Sequence, residues 1–295
     1  MTIIAQTFKK EFNLIINSLN KSSLRQILCR QRLKFSKIDI INYVHVIFEH
    51  TYAQKRFKTL FKHHHQSWVK VNYSTFMNNV LLFSKLFKFL FDEINKRLKI
   101  KPSKLLNIVD TTLIEEKEER FINQKDWNSG RVTTRTKHDL KVRTCGSKGL
   151  IFMNRFGQVY YGSLLNINYS DQNILKDSAA YNSQLKGFLL ADRGFSNKEV
   201  RKRINNKGTD IISLFNRSNQ PVTRLISPYK KVEKKSLTEN ESRLYRRRWR
   251  IETLFQFLKD PYSNCKLTMK GKYHQQIKKA KFFTALIQFN ILTTI

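Results

Sequence analysis

The sequence predicts an all-α, basic N-terminal region over residues 1–100, followed by a mixed α/β domain over residues 101–295. No Gly or Pro occurs in residues 1–98, and apolar residues there recur at helical spacing. The first proline, Pro102, coincides with a change to short apolar runs bounded by turn residues. Such runs, interleaved with helical segments, are typical of a domain in which helices cover a sheet.

The N-terminal region is predicted to consist of packed helices. Phe8, Phe12 and Ile15 fall on one face of the first helix, and Ser36 can cap another. The segment from Met77 to Leu98 is predicted to form one long helix whose aromatic stripe belongs to the core.

The second region is predicted to alternate strands and helices. Gly157 marks the turn of a hairpin, and Ser196 with Glu199 can form the capping box of a helix. The predicted elements are a strand over 105–113, hairpin strands over 149–154 and 159–165, a helix over 171–185, a strand from 187 that leads into a turn, a strand over 209–215, a basic loop or insertion at about 216–237, and helices over 238–259 and 272–293.

The composition indicates a nucleic-acid partner. The 295 residues carry 56 Lys+Arg against 22 Asp+Glu, a net charge of +34, and 40% are hydrophobic, which excludes wholesale disorder. An AT-rich genome would enrich Lys, but it would not readily produce the arginine cluster at 246–248 and 250. Three cysteines exclude a disulfide framework. Neither a membrane span nor an export signal is recognisable, so a cytoplasmic protein is expected.

Three acidic residues stand out as candidate metal ligands. Residues 101–200 hold 11 of the 22 acidic side chains. Asp110 is expected to end the first buried strand, Asp192 to end a later one, and Glu252 to lie in the charged helix. Strand ends are where open α/β sheets bind ligands, and oxygen ligands without His or Cys suit Mg²⁺ or Mn²⁺. Taken singly, each aspartate could equally be a turn residue and Glu252 a solvated ion pair.

The charged helix gives Glu252 a distinctive setting. At 100° per residue, Tyr245, Arg248, Glu252 and Lys259 fall within a stripe about 60° wide. One acid, two cations and a phenol would therefore share one space, an arrangement that suits a metal ligand flanked by phosphate-binding groups.

These residues resemble a known family. Y-x2-R-x3-E-x6-K, matched here by Tyr245, Arg248, Glu252 and Lys259, surrounds the third acid in one large group of bacterial insertion-sequence transposases of the DDE type. IVDTT (108–112) resembles the first-acid strand of that family, and LLADRGF (189–195) resembles its second-acid motif, with Phe195 in place of the commoner Tyr. The stretch 148–171 is similar to its hairpin, and an extra basic segment (125–148) precedes it.

The resemblance implies an RNase H-like catalytic domain. In it Asp110, Asp192 and Glu252 would hold two Mg²⁺ ions, replaceable by Mn²⁺, which activate water to nick the element's ends and then activate the freed 3′-OH to attack target DNA. Tyr245, Arg248 and Lys259 would contact the DNA backbone, and we add Arg193, Arg247 and Trp249 to the predicted DNA-binding set. Asp171, near a strand end, is a candidate support for the metal site.

The implied partners are double-stranded DNA, as element ends and as target, and further copies of the chain assembled on DNA. The N-terminal region is expected to help recognise the ends, and an active protein would be associated with the nucleoid. No small-molecule cofactor or membrane is expected. Two alternatives stay open: an RNase H-like nuclease that cuts without joining, and an inactive DNA-binding copy.

Overall fold

A computed structural model gives the architecture of the chain. It describes residues 3–28, 34–52, 55–115, 130–135, 141–169, 171, 185–192, 195, 209–215, 223–224, 235–236, 239–259 and 274–294. The predicted helices at 171–185 and after Ser196 lie outside these residues, apart from the ends of the first. None of the helices within these ranges is long and apolar enough to cross a membrane.

The chain divides into two compact units. The first comprises Met1–Lys99, Ile114–Asp126 and Gln256–Ile295, and the second comprises Ile100–Leu113 and Trp127–Phe255. Where it is described, the first is helical apart from its connecting segments and the last two residues of a strand, Ile114 and Glu115, and the second contains the rest of the sheet.

The helical unit is built from amphipathic helices with polar caps. The Asn20 and Asn72 side chains accept hydrogen bonds from the backbone N–H groups of Ser23 and Thr75, which stabilises two of the helix starts. Its helices are α1 (Ile3–Ser18), α2 (Lys21–Ile27), α3 (Lys37–Tyr52), α4 (Phe57–His65), α5 (Tyr73–Ser84), α6 (Leu86–Arg97) and α9 (His274–Thr294).

The last of these helices, α9, packs against α1, α3, α5 and α6. Nearly every residue between Ala280 and Ile291 is buried, whichever face of the helix it occupies. The Asn290 side chain donates a hydrogen bond of 2.8 Å to Asn95 of α6 inside this packing. A helix buried all round is a central element of a core, so the C-terminal helix completes the helical unit.

The long helix predicted from Met77 to Leu98 is two helices. α5 ends at Ser84 and α6 begins at Leu86. Between them, the Lys85 N–H donates to the carbonyls of Leu82 and Phe83. The aromatic stripe is nevertheless core as predicted, because Phe83, Phe87 and Phe91 are fully buried.

The sheet unit is a mixed sheet in which β4 pairs with β3 and the remaining strands follow the order β2-β3-β1-β5-β6-β7-β8. Its centre is parallel: β1 pairs with β5, and β5 pairs with β6. The strands are β1 (Leu106–Glu115), β2 (Gly130–Arg135), β3 (Lys141–Asn154), β4 (Val159–Asn166), β5 (Gly187–Ala191), β6 (Thr209–Phe215), β7 (Thr223–Arg224) and β8 (Lys235–Ser236).

The predicted hairpin is present but longer than expected. The second half of β3 pairs with β4 in antiparallel fashion, and Gly157 in the turn has a φ of 87°. The first half of β3 pairs with β2, so part of the extra basic segment forms a second hairpin arm.

The start of β5 is fixed by a close approach to β1. Gly187 has a φ of 73°, and the Phe188 N–H donates to the Leu105 carbonyl at 2.9 Å. A Cβ at Gly187 would lie 2.4 Å from that carbonyl oxygen, so only glycine fits. This contact sets the register that aligns the ends of the two strands.

The predicted charged helix consists of three pieces. Helix α7 (Glu239–Tyr245) leads through a 3₁₀ turn at Arg246–Arg248 into α8 (Trp249–Lys259). Ile251, Leu254 and Leu258 form the buried side of α8.

Candidate active site

Two predicted acids lie at corresponding positions on adjacent parallel strands. Val109 of β1 pairs with Ala191, the last residue of β5, and Asp110 and Asp192 are the residues that follow this pair. Asp110 is 5% exposed, whereas Asp192 is exposed just beyond the end of β5. Asp110 does not end its strand as predicted, because β1 continues to Glu115.

The third acid is linked to the first through an arginine. The Arg248 Nη2 donates to Asp110 Oδ2 at 2.7 Å, and its Nη1 donates to the Tyr245 hydroxyl at 3.1 Å. The same Nη1 lies 4.0 Å from Glu252 Oε1. The structure therefore brings together Asp110, Tyr245, Arg248 and Glu252, which are up to 142 positions apart in the sequence.

The electrostatics of this cluster are those of a partly buried ion pair. Burial raises the pKa of Asp110 to about 6, although the charge and hydrogen bond of Arg248 lower it, and the negative charge of Asp192 adds to the rise. Burial opposes the charged form of Arg248, but the Asp110 carboxylate raises the pKa of this guanidinium overall. Burial likewise raises the pKa of Tyr245. The Asp110 carboxylate is thus held in a site that disfavours its negative charge.

A second set of hydrogen bonds begins at the other carboxylate oxygen of Asp110. Asp110 Oδ1 accepts the Thr111 N–H at 2.8 Å, and the Thr111 hydroxyl donates to Asp171 Oδ1 at 3.2 Å. Lys148 Nζ donates to the same Asp171 oxygen at 2.9 Å and to the Tyr169 carbonyl at 2.8 Å. These bonds connect β3, β1 and the residue that follows the β3–β4 hairpin.

Lys148 was not among the predicted site residues. Its side chain is 19% exposed, and it lies between Ser147 and Gly149 of β3. A mostly buried ammonium requires an acidic partner, and that requirement could have pointed from Lys148 to Asp171.

The other predicted DNA-binding residues are placed as follows. Arg247 is exposed in the 3₁₀ turn, and Trp249 is 58% exposed at the start of α8. Lys259 is the last residue of α8, and its side chain lies outside the described part of the structure, as does Arg193. The tighter 3₁₀ turn at 246–248 means that the predicted stripe does not run along a single regular helix.

The three candidate metal ligands, Asp110, Asp192 and Glu252, are not all close to one another. Among the described residues, no group of three Asp, Glu, His or Cys side chains is gathered closely enough to hold a metal ion. The Glu252 side chain is 59% exposed, and Arg248 lies between it and Asp110. In this structure the cation that contacts the Asp110 carboxylate is the guanidinium of Arg248.

The comparison with known families defines the class of protein. A family model described as "Transposase DDE domain" matches residues 101–278, and the chain belongs to this family.

A solved structure supports the same fold. The cryo-EM structure of the piggyBac transposase synaptic complex with hairpin DNA is similar with a TM-score of 0.51. The two sequences are 12% identical, and the similarity covers 98% of this chain and 74% of the other. No curated protein matches the sequence significantly. The predicted RNase H-like fold, the α-rich N-terminal region and the family resemblance are thereby confirmed.

Proposed function

We propose that this transposase nicks the ends of an insertion sequence and joins the freed 3′-OH to target DNA. The observation that carries the proposal is the position of Arg248, which contacts Asp110 at 2.7 Å and lies 4.0 Å from Glu252. The negative charge of Asp192 also acts on its guanidinium. A phosphate-binding cation placed among three carboxylates suits phosphodiester chemistry.

The donor set fits Mg²⁺, with Mn²⁺ as a substitute. Asp110, Asp192 and Glu252 offer hard carboxylate oxygens without sulfur or imidazole. Burial and the neighbouring charge of Asp192 both disfavour the Asp110 carboxylate, and a divalent cation would offset both effects. When bound, two such ions supply Lewis-acid activation of the attacking oxygen and stabilisation of the leaving oxygen.

The chain's own residues have distinct proposed roles. Arg248 would exchange its Asp110 contact for a DNA phosphate, and its hydrogen bond to Tyr245 would keep the guanidinium oriented. Lys259, Arg193, Arg247 and Trp249 would extend the contact along the DNA. Asp110 would be held in place by the Thr111 N–H while Arg248 leaves.

The remaining assignments follow from charge and organisation. We propose that residues 1–100 help to recognise element ends and that residues 101–295 carry the catalytic function. Double-stranded DNA is the proposed substrate, because a net charge of +34 favours a polyanion. Self-association on DNA and association with the nucleoid complete the proposal.

The test is cleavage and joining of DNA that contains the inverted repeats flanking the gene, incubated with Mg²⁺ and resolved on a denaturing gel. We expect nicked ends and joined products from the wild type, and neither product from Asp110→Asn. Nicks without joining would favour the nuclease alternative. Absence of both products alongside intact DNA binding would favour an inactive copy.

A further inference from the structure

A rigid turn presents an aromatic ring to solvent in the sheet unit. The turn between β3 and β4 contains Arg155, Phe156 and Gly157, and Phe156 is 63% exposed. Single exposed apolar residues are common, so exposure alone implies nothing.

The turn is fixed by one buried side chain. Asn154 Oδ1 accepts the backbone N–H groups of Phe156 at 3.0 Å and Gln158 at 3.1 Å. The Asn154 Nδ2 donates to the Lys101 carbonyl at 3.2 Å and to the Gln158 side chain at 3.1 Å. Because both polar atoms of this amide are satisfied twice, the backbone that carries Phe156 is held in one conformation.

Helix α8 holds the same turn from a second direction. Arg250 donates to the Arg155 carbonyl, and its Cδ would lie 3.5 Å from a Cβ at Gly157. The helix that carries Glu252 therefore also holds the turn that carries Phe156, through Arg250, which lies two residues before Glu252.

The ring carries a cation on one side. The Arg155 guanidinium carbon lies 4.5 Å from the Phe156 ring centroid, within the range of a cation–π interaction. In the described part of the chain, Arg155 has no acidic partner. A positive charge and an aromatic face are thus offered together at a preorganised position.

We infer that Arg155 and Phe156 form a binding platform for an unstacked nucleobase of DNA, with the base on Phe156 and its phosphate on Arg155. Aromatic rings bind bases by stacking and arginines bind phosphates, and together they suit strand ends more than paired DNA, whose base faces are covered. This inference rests on the proposed function, because it assumes that DNA is the substrate.

The test compares two short DNA probes of the same composition in buffer without divalent metal, at constant salt. One probe is a duplex with a splayed end that carries 2-aminopurine as an unpaired base. The other is a dumbbell duplex without ends. Binding is measured by anisotropy, and stacking is measured by quenching of 2-aminopurine fluorescence.

We expect Phe156→Ala to weaken binding of the splayed probe by about 5- to 150-fold, as for the loss of one stacked base, and to abolish quenching. Binding of the dumbbell should not change, and Phe156→Trp should retain both signals. Leu105→Ala is the matched control, because Leu105 is 60% exposed in the same unit and should leave both probes unaffected.

Two outcomes would overturn the inference while leaving DNA binding in place. One is Phe156→Ala binding the splayed probe as tightly as the wild type, and the other is an equal loss on the dumbbell. If the wild type binds neither probe, the proposed function itself is wrong. Thermal unfolding of each variant identifies any loss that reflects misfolding.

Discussion

Glu252 allows charge to be separated from shape by one substitution. Glu252→Gln keeps the size of a side chain that is 59% exposed and removes its negative charge. Cleavage should be abolished, because an amide oxygen replaces a carboxylate poorly as a ligand for Mg²⁺. DNA binding should survive or tighten, since a negative charge beside the phosphates is lost. Cleavage assays and salt-matched binding isotherms measure the two effects.

Glu239→Gln is the control for this substitution. Glu239 is also exposed, at the start of α7 and on the same stretch of chain. It should cleave at nearly the wild-type rate. Equal cleavage by both variants would make Glu252 an ordinary surface residue.

Asp110 should make stability depend on pH in a defined direction. Its pKa is about 6 in the folded protein against 3.8 as the ordinary value, so the folded state retains a proton that the unfolded chain has released. The stabilisation from this proton is full below about pH 4 and is lost as the pH rises through about 6. The asparagine of Asp110→Asn does not titrate, so the variant does not undergo this loss. As the pH rises from 4 to 7, the free energy of unfolding of Asp110→Asn should therefore increase by roughly 2–3 kcal/mol relative to that of the wild type.

Urea denaturation without divalent ions, at pH 4 to 7, measures this difference. Asp92→Asn is the control, because Asp92 is half-exposed and pairs with Lys88. Parallel pH profiles for Asp110→Asn and the wild type would contradict the raised pKa of Asp110.

At the scale of elements, the contact between the start of β5 and the approach to β1 should be intolerant of a methyl group. Gly187→Ala would bring Cβ to 2.4 and 2.6 Å from the carbonyl oxygens of Leu105 and Lys104. We expect a loss of free energy of unfolding well above the ~1–2 kcal/mol cost of a left-handed conformation. Chemical denaturation measures the loss.

Gly157→Ala isolates the contribution of the clash. Gly157 also has a positive φ, but its nearest neighbour is the Arg250 side chain at 3.5 Å. Gly157→Ala should therefore lose only the free energy of unfolding that corresponds to placing a non-glycine residue in a left-handed conformation. Similar losses in the two variants would mean that strand β5 shifts to accommodate the methyl group.

The elements differ in how far the sequence could predict them. Local patterns were sufficient for β1 and for the hairpin turn at Gly157, because a short apolar run and a turn glycine are local signals. The break at Lys85 has no local signal, since neither Gly nor Pro is near it. The contact from Arg248 to Asp110 spans 138 positions, and a pattern within one segment carries no information about a contact over that distance.

At the scale of the whole molecule, the net charge of +34 should dominate DNA affinity. If six or more phosphates are neutralised, affinity should fall by about 10³-fold or more between about 50 and 200 mM salt. Arg248→Ala should reduce the slope of log affinity against log salt by about one. Lys96→Ala is the control, because Lys96 is already paired with Glu93. A flat salt dependence would contradict electrostatic binding to DNA.

The position of α9 constrains the order in which this protein can mature. Helices α1 to α6 are synthesised well before the helix that packs against four of them, which lies about 180 residues further along the chain. A nascent chain must therefore wait, with apolar faces uncovered, until residues 274–294 leave the ribosome. A premature stop between residues 193 and 273 would leave Asp110 and Asp192 encoded but the helical unit without its central helix, so we expect such shortened products to be unstable.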